Sequence, residues 1–130
     1  MLIKGTKDTP FVYISAETGK MELSGDSYSI KVNALYKEVF NWLEFEFANT
    51  NQKITCRLYF NNINSETVRA ILELINRLNR LKDLGKSITV IWEYDEDNEQ
   101  IYEKGVDFSE FSKNRFIMKK NFIESFPIGN

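Results

Sequence analysis

Apolar residues recur along this chain with two different periods, and the changes between them divide it into elements. Phe11–Ile14 is a short β-rich run, and Met21–Ser24 alternates apolar and polar residues. The turn signal Glu17-Thr18-Gly19-Lys20 lies between them, so the pair predicts an antiparallel hairpin. Gly25-Asp26-Ser27 breaks the alternation. From about Asn33 to Ala48 the period becomes helical. Leu35, Val39, Trp42 and Leu43, with Tyr36, Phe40 and Phe47 beside them, form a stripe wide enough that this helix is expected to bury much of its surface. Asn49-Thr50-Asn51 ends it. Lys53–Phe60 then reads as a strand with Ile54, Cys56, Leu58 and Phe60 on one face.

Asn61-Asn62-Ile63-Asn64-Ser65 reads as a polar turn in which Asn64 or Ser65 can cap a helix. Val68, Ile71, Leu72, Ile75 and Leu78 follow at helical spacing. They predict a helix over about Ser65–Leu84, with Gly85 at the position just past its end. Ser87–Tyr94 is a β-branched run with an almost continuous apolar centre, as in a central strand. Asp95–Glu99 is acidic. About Gln100–Ser112 is a weaker amphipathic helix with Gly105 inside it, and Arg115–Met118 is a last short strand. Residues from about 120 to 130, with Pro127 and Gly129, are expected to fray. Strands alternating with helices predict right-handed crossovers and an α/β fold. That fold would be a mixed sheet of about five strands with two main helices and a weaker third, and residues 1–130 would make a single domain.

Composition narrows the function more by exclusion than by indication. The 130 residues are 42% hydrophobic and include ten Phe, enough for a core without a metal or disulfide staple. Seventeen basic against nineteen acidic residues leave a net charge of −2, so nothing is in excess to neutralise phosphates and no nucleic-acid partner is expected. The chain has no histidine, which removes the usual general base and the commonest metal ligand. Its one cysteine, Cys56, lies in an apolar run and reads as a small core residue. No acid–base pair stands out, so the chain reads as a non-enzyme, with no catalytic residue and no cofactor. Met1–Pro10 lacks the apolar stretch of a signal peptide, and no run approaches the ~18 apolar residues of a membrane span. A cytoplasmic location without direct membrane insertion is expected.

Few segments carry chemistry. Asp95-Glu96-Asp97-Asn98-Glu99 lacks the glycine and the terminal glutamate of a calcium loop and reads as solvated, so no metal is expected. Trp42 and Trp92 each lie within an apolar pattern and read as core rather than as interface anchors. Asp8-Thr9-Pro10 is either a turn or part of a binding edge. Gly25-Asp26-Ser27-Tyr28-Ser29 has turn chemistry without a phosphate-cradling glycine pattern. Tyr59–Glu66 is the most suggestive, because it runs from an apolar strand onto a helix N-terminus, where free N–H groups and the helix dipole favour an anion. On the residues alone it either accommodates a phosphate added to one of its hydroxyls or simply caps the helix.

An ordered set of short features runs along nearly the whole chain. Thr9-Pro10 precedes the first strand, Gly25-Asp26-Ser27-Tyr28 follows the hairpin, and Trp42-Leu43 lies in the first helix. Tyr59-Phe60-Asn61 leads into the second helix, and Trp92-Glu93-Tyr94 precedes the acidic turn, Gly105 and Phe116. In this set the chain resembles the SiaC family of bacterial regulatory phosphoproteins, whose fold is similar to the STAS domain of anti-sigma-factor antagonists. The resemblance implies a STAS-like fold and a non-catalytic signalling adaptor. Such an adaptor is switched by a protein kinase and a protein phosphatase, and in one phosphorylation state it binds a signalling enzyme such as a diguanylate cyclase. The family's phosphoacceptor is a Thr or Ser immediately after the Asn that matches Asn61. Here that position is Asn62, which cannot accept a phosphate from a Ser/Thr kinase. The first hydroxyl is Ser65, so either Ser65 takes the phosphate or the switch is lost and only docking remains. The docking surface expected is Asn61, Asn62, Ile63, Asn64 and Ser65 together with Gly25, Asp26, Ser27 and Tyr28. The alternative is a small-molecule-binding module of STAS-like shape, which requires a roomy apolar pocket with converging polar groups.

Overall fold

Strand order across the sheet follows the chain order in the computed structural model, which describes residues 1–122. β1 (Leu2–Ile3), β2 (Phe11–Ser15) and β3 (Lys20–Ser27) pair antiparallel. β4 (Ile54–Ile63), β5 (Ile88–Asp95) and β6 (Arg115–Asn121) add parallel to β3 in turn. Each parallel step is made through a helix: α1 (Val32–Ala48), α2 (Ser65–Asp83) and α3 (Glu99–Ser109). The mixed α/β architecture is the one the sequence predicts, with six strands rather than about five. The extra strand, β1, is two residues long and too short to leave a periodic signal.

Alternation along the strands decides where the core sits. Ile54, Cys56, Leu58 and Phe60 of β4 line up with Ile88, Val90 and Trp92 of β5, and all are buried beneath the helices. α2 contributes Ile71, Leu74, Ile75 and Leu78, one face of a regular helix. Arg77 joins the two main helices from above: its guanidinium lies 4.7 Å from the Phe40 ring centroid and 2.7 Å from Glu44 of α1. The opposite parity, including Tyr13, Glu22, Arg57 and Ile91, forms a sheet face with no helix over it. β5 is a central strand, as its apolar run predicts, lying between β4 and β6 with helices over one face only.

Two glycines are fixed by close approach. Gly19 closes the β2–β3 hairpin at φ +72°, and a Cβ there would lie 2.1 Å from the Lys53 carbonyl oxygen. Gly105 sits inside α3 because a Cβ would lie 2.2 Å from Trp92, whose indole N–H donates to the Ile101 carbonyl at 2.9 Å. A glycine that weakens the sequence signal of α3 is what lets the helix pack on the sheet.

Several expected boundaries move. β3 does not stop at Ser24 but runs to Ser27, with a register shift between Gly25 and Ser27 that absorbs the irregularity. β4 continues three residues past Phe60, so Asn61, Asn62 and Ile63 are strand rather than turn. β6 extends to Asn121, which places Lys120 and Asn121 in the sheet and not in a frayed tail. The remainder of that expected tail, 123–130, lies outside the described residues. Trp92 is core as expected, whereas Trp42 is 37% exposed.

Candidate docking site at the carboxyl ends of the strands

In parallel α/β sheets the strands end where the helices begin, and exposed backbone and side chains collect at that edge. Here the edge joins two segments far apart in sequence. Ser27 pairs with Ile63 across β3 and β4, and one residue back Asn62 donates its amide to the Asp26 carboxylate at 3.1 Å. Asn98, which caps α3, donates to the Asn61 carbonyl at 3.0 Å. Asn61 and Asn62 are themselves exposed. The irregular stretch after β3 is held down by backbone bonds, because Tyr28 and Ser29 both donate to the Asp8 carbonyl at 3.0 Å. Asp8-Thr9-Pro10 is thus part of a turn, closed from Thr6 N to Thr9 O at 2.9 Å. Tyr28 is 46% exposed and Ile30, at the tip, is 93% exposed.

Beneath this surface lies a buried hydroxyl cluster that the sequence reading missed. Ser27 and Thr67 are fully buried, with their hydroxyls 2.8 Å apart, and the Tyr36 hydroxyl lies 3.2 Å from that of Ser27. Thr67 donates to the Ser27 carbonyl at 2.7 Å, and the Asn64 backbone N–H donates to the same oxygen at 3.2 Å. Burial pushes the Tyr36 phenol above its ordinary range, so it stays neutral. The cluster ties the start of α2 to the end of β3 and to α1. Ser27, expected as a contact residue, is thus inside the molecule and acts by holding the surface in place. A signal existed in the polar positions 27 and 67, which fall on the buried faces of their elements.

Asn64 is the N-cap of α2, its side chain accepting from the Thr67 N–H at 2.9 Å. Ser65 is the first helical residue and is exposed. The N–H groups of Ser65 and Glu66 have no intrahelical acceptor, as in any first turn. Of the hydroxyls in this segment, Ser65 faces solvent and Thr67 does not. Gly25, at φ +105°, has nothing within 4 Å of where a Cβ would lie and stands at the open rim.

The acidic run forms the neighbouring corner. Asp95 ends β5 and accepts from the Tyr59 hydroxyl at 2.6 Å, which raises the Tyr59 phenol. Behind it, on the helix-free face, Arg57 donates to both carboxylate oxygens of Glu93, at 2.8 and 3.0 Å, and also pairs with Glu22. Asn121 adds a bond to Glu93 at 2.5 Å. The Arg57 hydrogen bonds hold the buried Glu93 carboxyl below the usual range. Arg57 and Glu93 have the same parity on neighbouring strands, which was the sequence signal for this pair. A hollow of about 520 Å³ forms a groove on this face, bordered by Tyr13, Lys20, Glu22, Arg57 and Ile91. Arg57 and Glu22, which pair with each other, both line it.

Comparison with known proteins places this geometry. Residues 3–121 match the family described as SiaC family regulatory phosphoprotein. A protein of Pseudomonas aeruginosa (strain UCBPP-PA14) without an assigned function is 26% identical over 108 residues, covering 83% of this chain and 86% of that one. The fold is similar to apo-SiaC from Pseudomonas aeruginosa, with TM-score 0.81 and 21% identity over 92% of this chain and 97% of that one. It is similar, too, to a chain in the crystal structure of the diguanylate cyclase SiaD in complex with its activator SiaC, from the same organism. There the TM-score is 0.87 and the identity 24%, over 93% of this chain and 99% of that one. No helix among the described residues is long and apolar enough to cross a membrane.

Proposed function

The chain belongs to the SiaC family of regulatory phosphoproteins, and on that premise we propose that it is an adaptor in a kinase- and phosphatase-controlled partner switch. Its role is regulatory rather than catalytic. It docks a signalling enzyme, of which a diguanylate cyclase is the type that SiaC activates in the related complex, through the carboxyl ends of β3 and β4. The observation that carries this reading is the Asn62–Asp26 hydrogen bond. It makes one surface out of Gly25, Asp26 and Tyr28 on one side and Asn61, Asn62, Ile63, Asn64 and Ser65 on the other, set on a rigid buried base.

The position that carries the phosphate in the family is Asn62 here, and its amide donates to a carboxylate. A phosphate at that point would instead meet the negative charge of Asp26. We infer that this chain keeps docking and has lost switching at position 62, with Ser65 as the hydroxyl of the segment left open to a kinase. Binding to a cyclase, kinase or phosphatase encoded beside it is expected, and Asp26→Ala with Asn62→Ala should weaken that binding about tenfold or more. Recovery of none of these partners from a pull-down counts against the adaptor. Intact mass after incubation with the cognate kinase decides the switch. A single added phosphate that vanishes in Ser65→Ala assigns the acceptor to Ser65, and labelling unchanged by Ser65→Ala rejects it.

A further inference from the structure

Helix α1 carries more apolar surface than the sheet covers. Its inner residues Val39, Leu43 and Phe47 are fully buried, while Trp42 and Phe45, three residues apart on the outer face, are 37% and 71% exposed. Three hollows adjoin at this point. One, of about 400 Å³, lies between Asn41, Trp42, Phe45 and Glu46. A second, of about 340 Å³, runs from Trp42 and Glu46 to the β2–β3 turn at Glu17. A third, of about 450 Å³, continues past Glu17 and Glu46 to Gln52. The charged side chains along their walls are Glu17 and Glu46. Neither has an ion pair or a side-chain hydrogen bond among the described residues. Lys86 donates to the Thr50 carbonyl at 2.7 Å and borders none of the hollows. The Met1 amino group, on the far wall, donates to the Ile14 carbonyl at 2.8 Å.

A second observation concerns the helix itself. The C-terminal end of a helix is its negative end and is stabilised by cations. α2 follows this rule with Arg80 and Lys82 in its last turn. α1 has no basic residue in its last turn, and Glu46 sits there instead. The carboxylates of the groove therefore add to a negative end that no basic residue of α1 itself offsets, where a further cation from outside the chain would be favoured.

We propose that this groove docks an amphipathic segment of a partner protein, with an apolar side chain against Trp42 and Phe45 and a Lys or Arg side chain against Glu17 and Glu46. It is formed at the opposite end of the sheet from Asn61–Ser65, so the two surfaces can be occupied together and the adaptor can bridge two proteins. The inference rests on the groove alone and not on the docking site at the strand ends.

Two labelled synthetic peptides of about 15 residues test it, sharing one apolar stripe and differing only in a Lys-rich or a Glu-rich polar face. Fluorescence anisotropy with the full chain should show the Lys peptide binding at least about tenfold more tightly than the Glu peptide, and less tightly as salt rises. Trp42→Ala and Phe45→Ala should each weaken it about tenfold with the circular dichroism spectrum unchanged. Glu17→Lys with Glu46→Lys should reverse the preference. Equal binding of the two peptides, no binding, or Lys-peptide binding that survives the double reversal overturns the proposal. So does a concentration-dependent dimer in sedimentation that Trp42→Ala abolishes, because the occupant would then be a second copy. Asp26→Ala should leave the peptide bound, and loss of binding in that variant would move the peptide to the strand ends and overturn the proposal as well.

Discussion

α1 and α2 are of similar length, 17 and 19 residues, and lie side by side on the same sheet, yet they are stabilised in different ways. α2 is finished at both ends. Asn64 caps its start, Glu66 lies in its first turn and Arg80 and Lys82 in its last. Gly85 at φ +91° closes it, with Gly85 N–H bonding Lys82 O at 2.9 Å and Lys86 N–H bonding Leu81 O at 3.1 Å. Its apolar residues occupy one stripe, and that stripe is buried. α1 has none of these devices. Lys31 at its start makes no side-chain cap bond, no acidic residue opens it, and no basic residue closes it. It is held by packing and by polar ties to its neighbours, the Glu44–Arg77 ion pair and the Tyr36–Ser27 hydroxyl contact among them, and its apolar residues run past the core onto the outside. Local signals suffice to specify a helix that serves only the fold, whereas a helix with surplus apolar and acidic surface is shaped in part by something it touches.

The sharpest way to break this contrast is truncation on the two kinds of surface. Leu78→Ala on the buried stripe of α2 should cost about 2–5 kcal/mol in denaturant unfolding, because it opens a cavity in the core. Phe45→Ala on the outer face of α1 should cost under about 1 kcal/mol, although it removes the larger side chain. Comparable losses would mean that the outer face of α1 is stabilising the free chain and that nothing needs to cover it.

Next in size is the hydroxyl cluster that anchors α2. Thr67→Val keeps the shape but removes both the donor to the Ser27 carbonyl and the hydroxyl that meets Ser27 Oγ, in a buried place. A loss of about 1–3 kcal/mol in chemical denaturation is expected. The Asn64 cap follows, with Asn64→Ala expected to cost about 1 kcal/mol. Lys31→Ala, at the start of α1, should change stability by less than about 0.5 kcal/mol. An equal effect at the two helix starts would remove the distinction between a capped and an uncapped helix.

The same contrast explains what could be read in advance. α2 was legible from Val68, Ile71, Ile75 and Leu78 and from the residues around them, since period, cap and terminator agree. The strand cores were legible through Ile54, Cys56, Leu58 and Phe60. The carboxyl ends of β3 and β4 were not, because ladder bonds carry the backbone onward whatever the polarity of side chains such as Asn61 and Asn62, which point to water. The candidate site was named in two halves. That Asp26 meets Asn62 depends on the register of two strands more than thirty residues apart, which no local pattern contains. Trp42 was misplaced for a related reason: on a helix whose apolar stripe is this wide, the period does not say which of its residues lie at the exposed margin.

The smallest effect is the most discriminating, because its sign is unusual for a surface change. Glu46→Lys puts a cation in the last turn of α1, where the helix dipole favours one. The free protein should become more stable by about 0.3–1 kcal/mol, read as a shift of the urea midpoint at unchanged slope. In the same variant the Lys-rich peptide should bind more weakly, since one of the two groove carboxylates has changed sign. Stability gained together with binding lost is the behaviour of a residue kept for an interaction at some cost to the fold. If stability falls instead, Glu46 is supporting α1 in a way the free chain already uses, and the contrast between the two helices narrows to their caps.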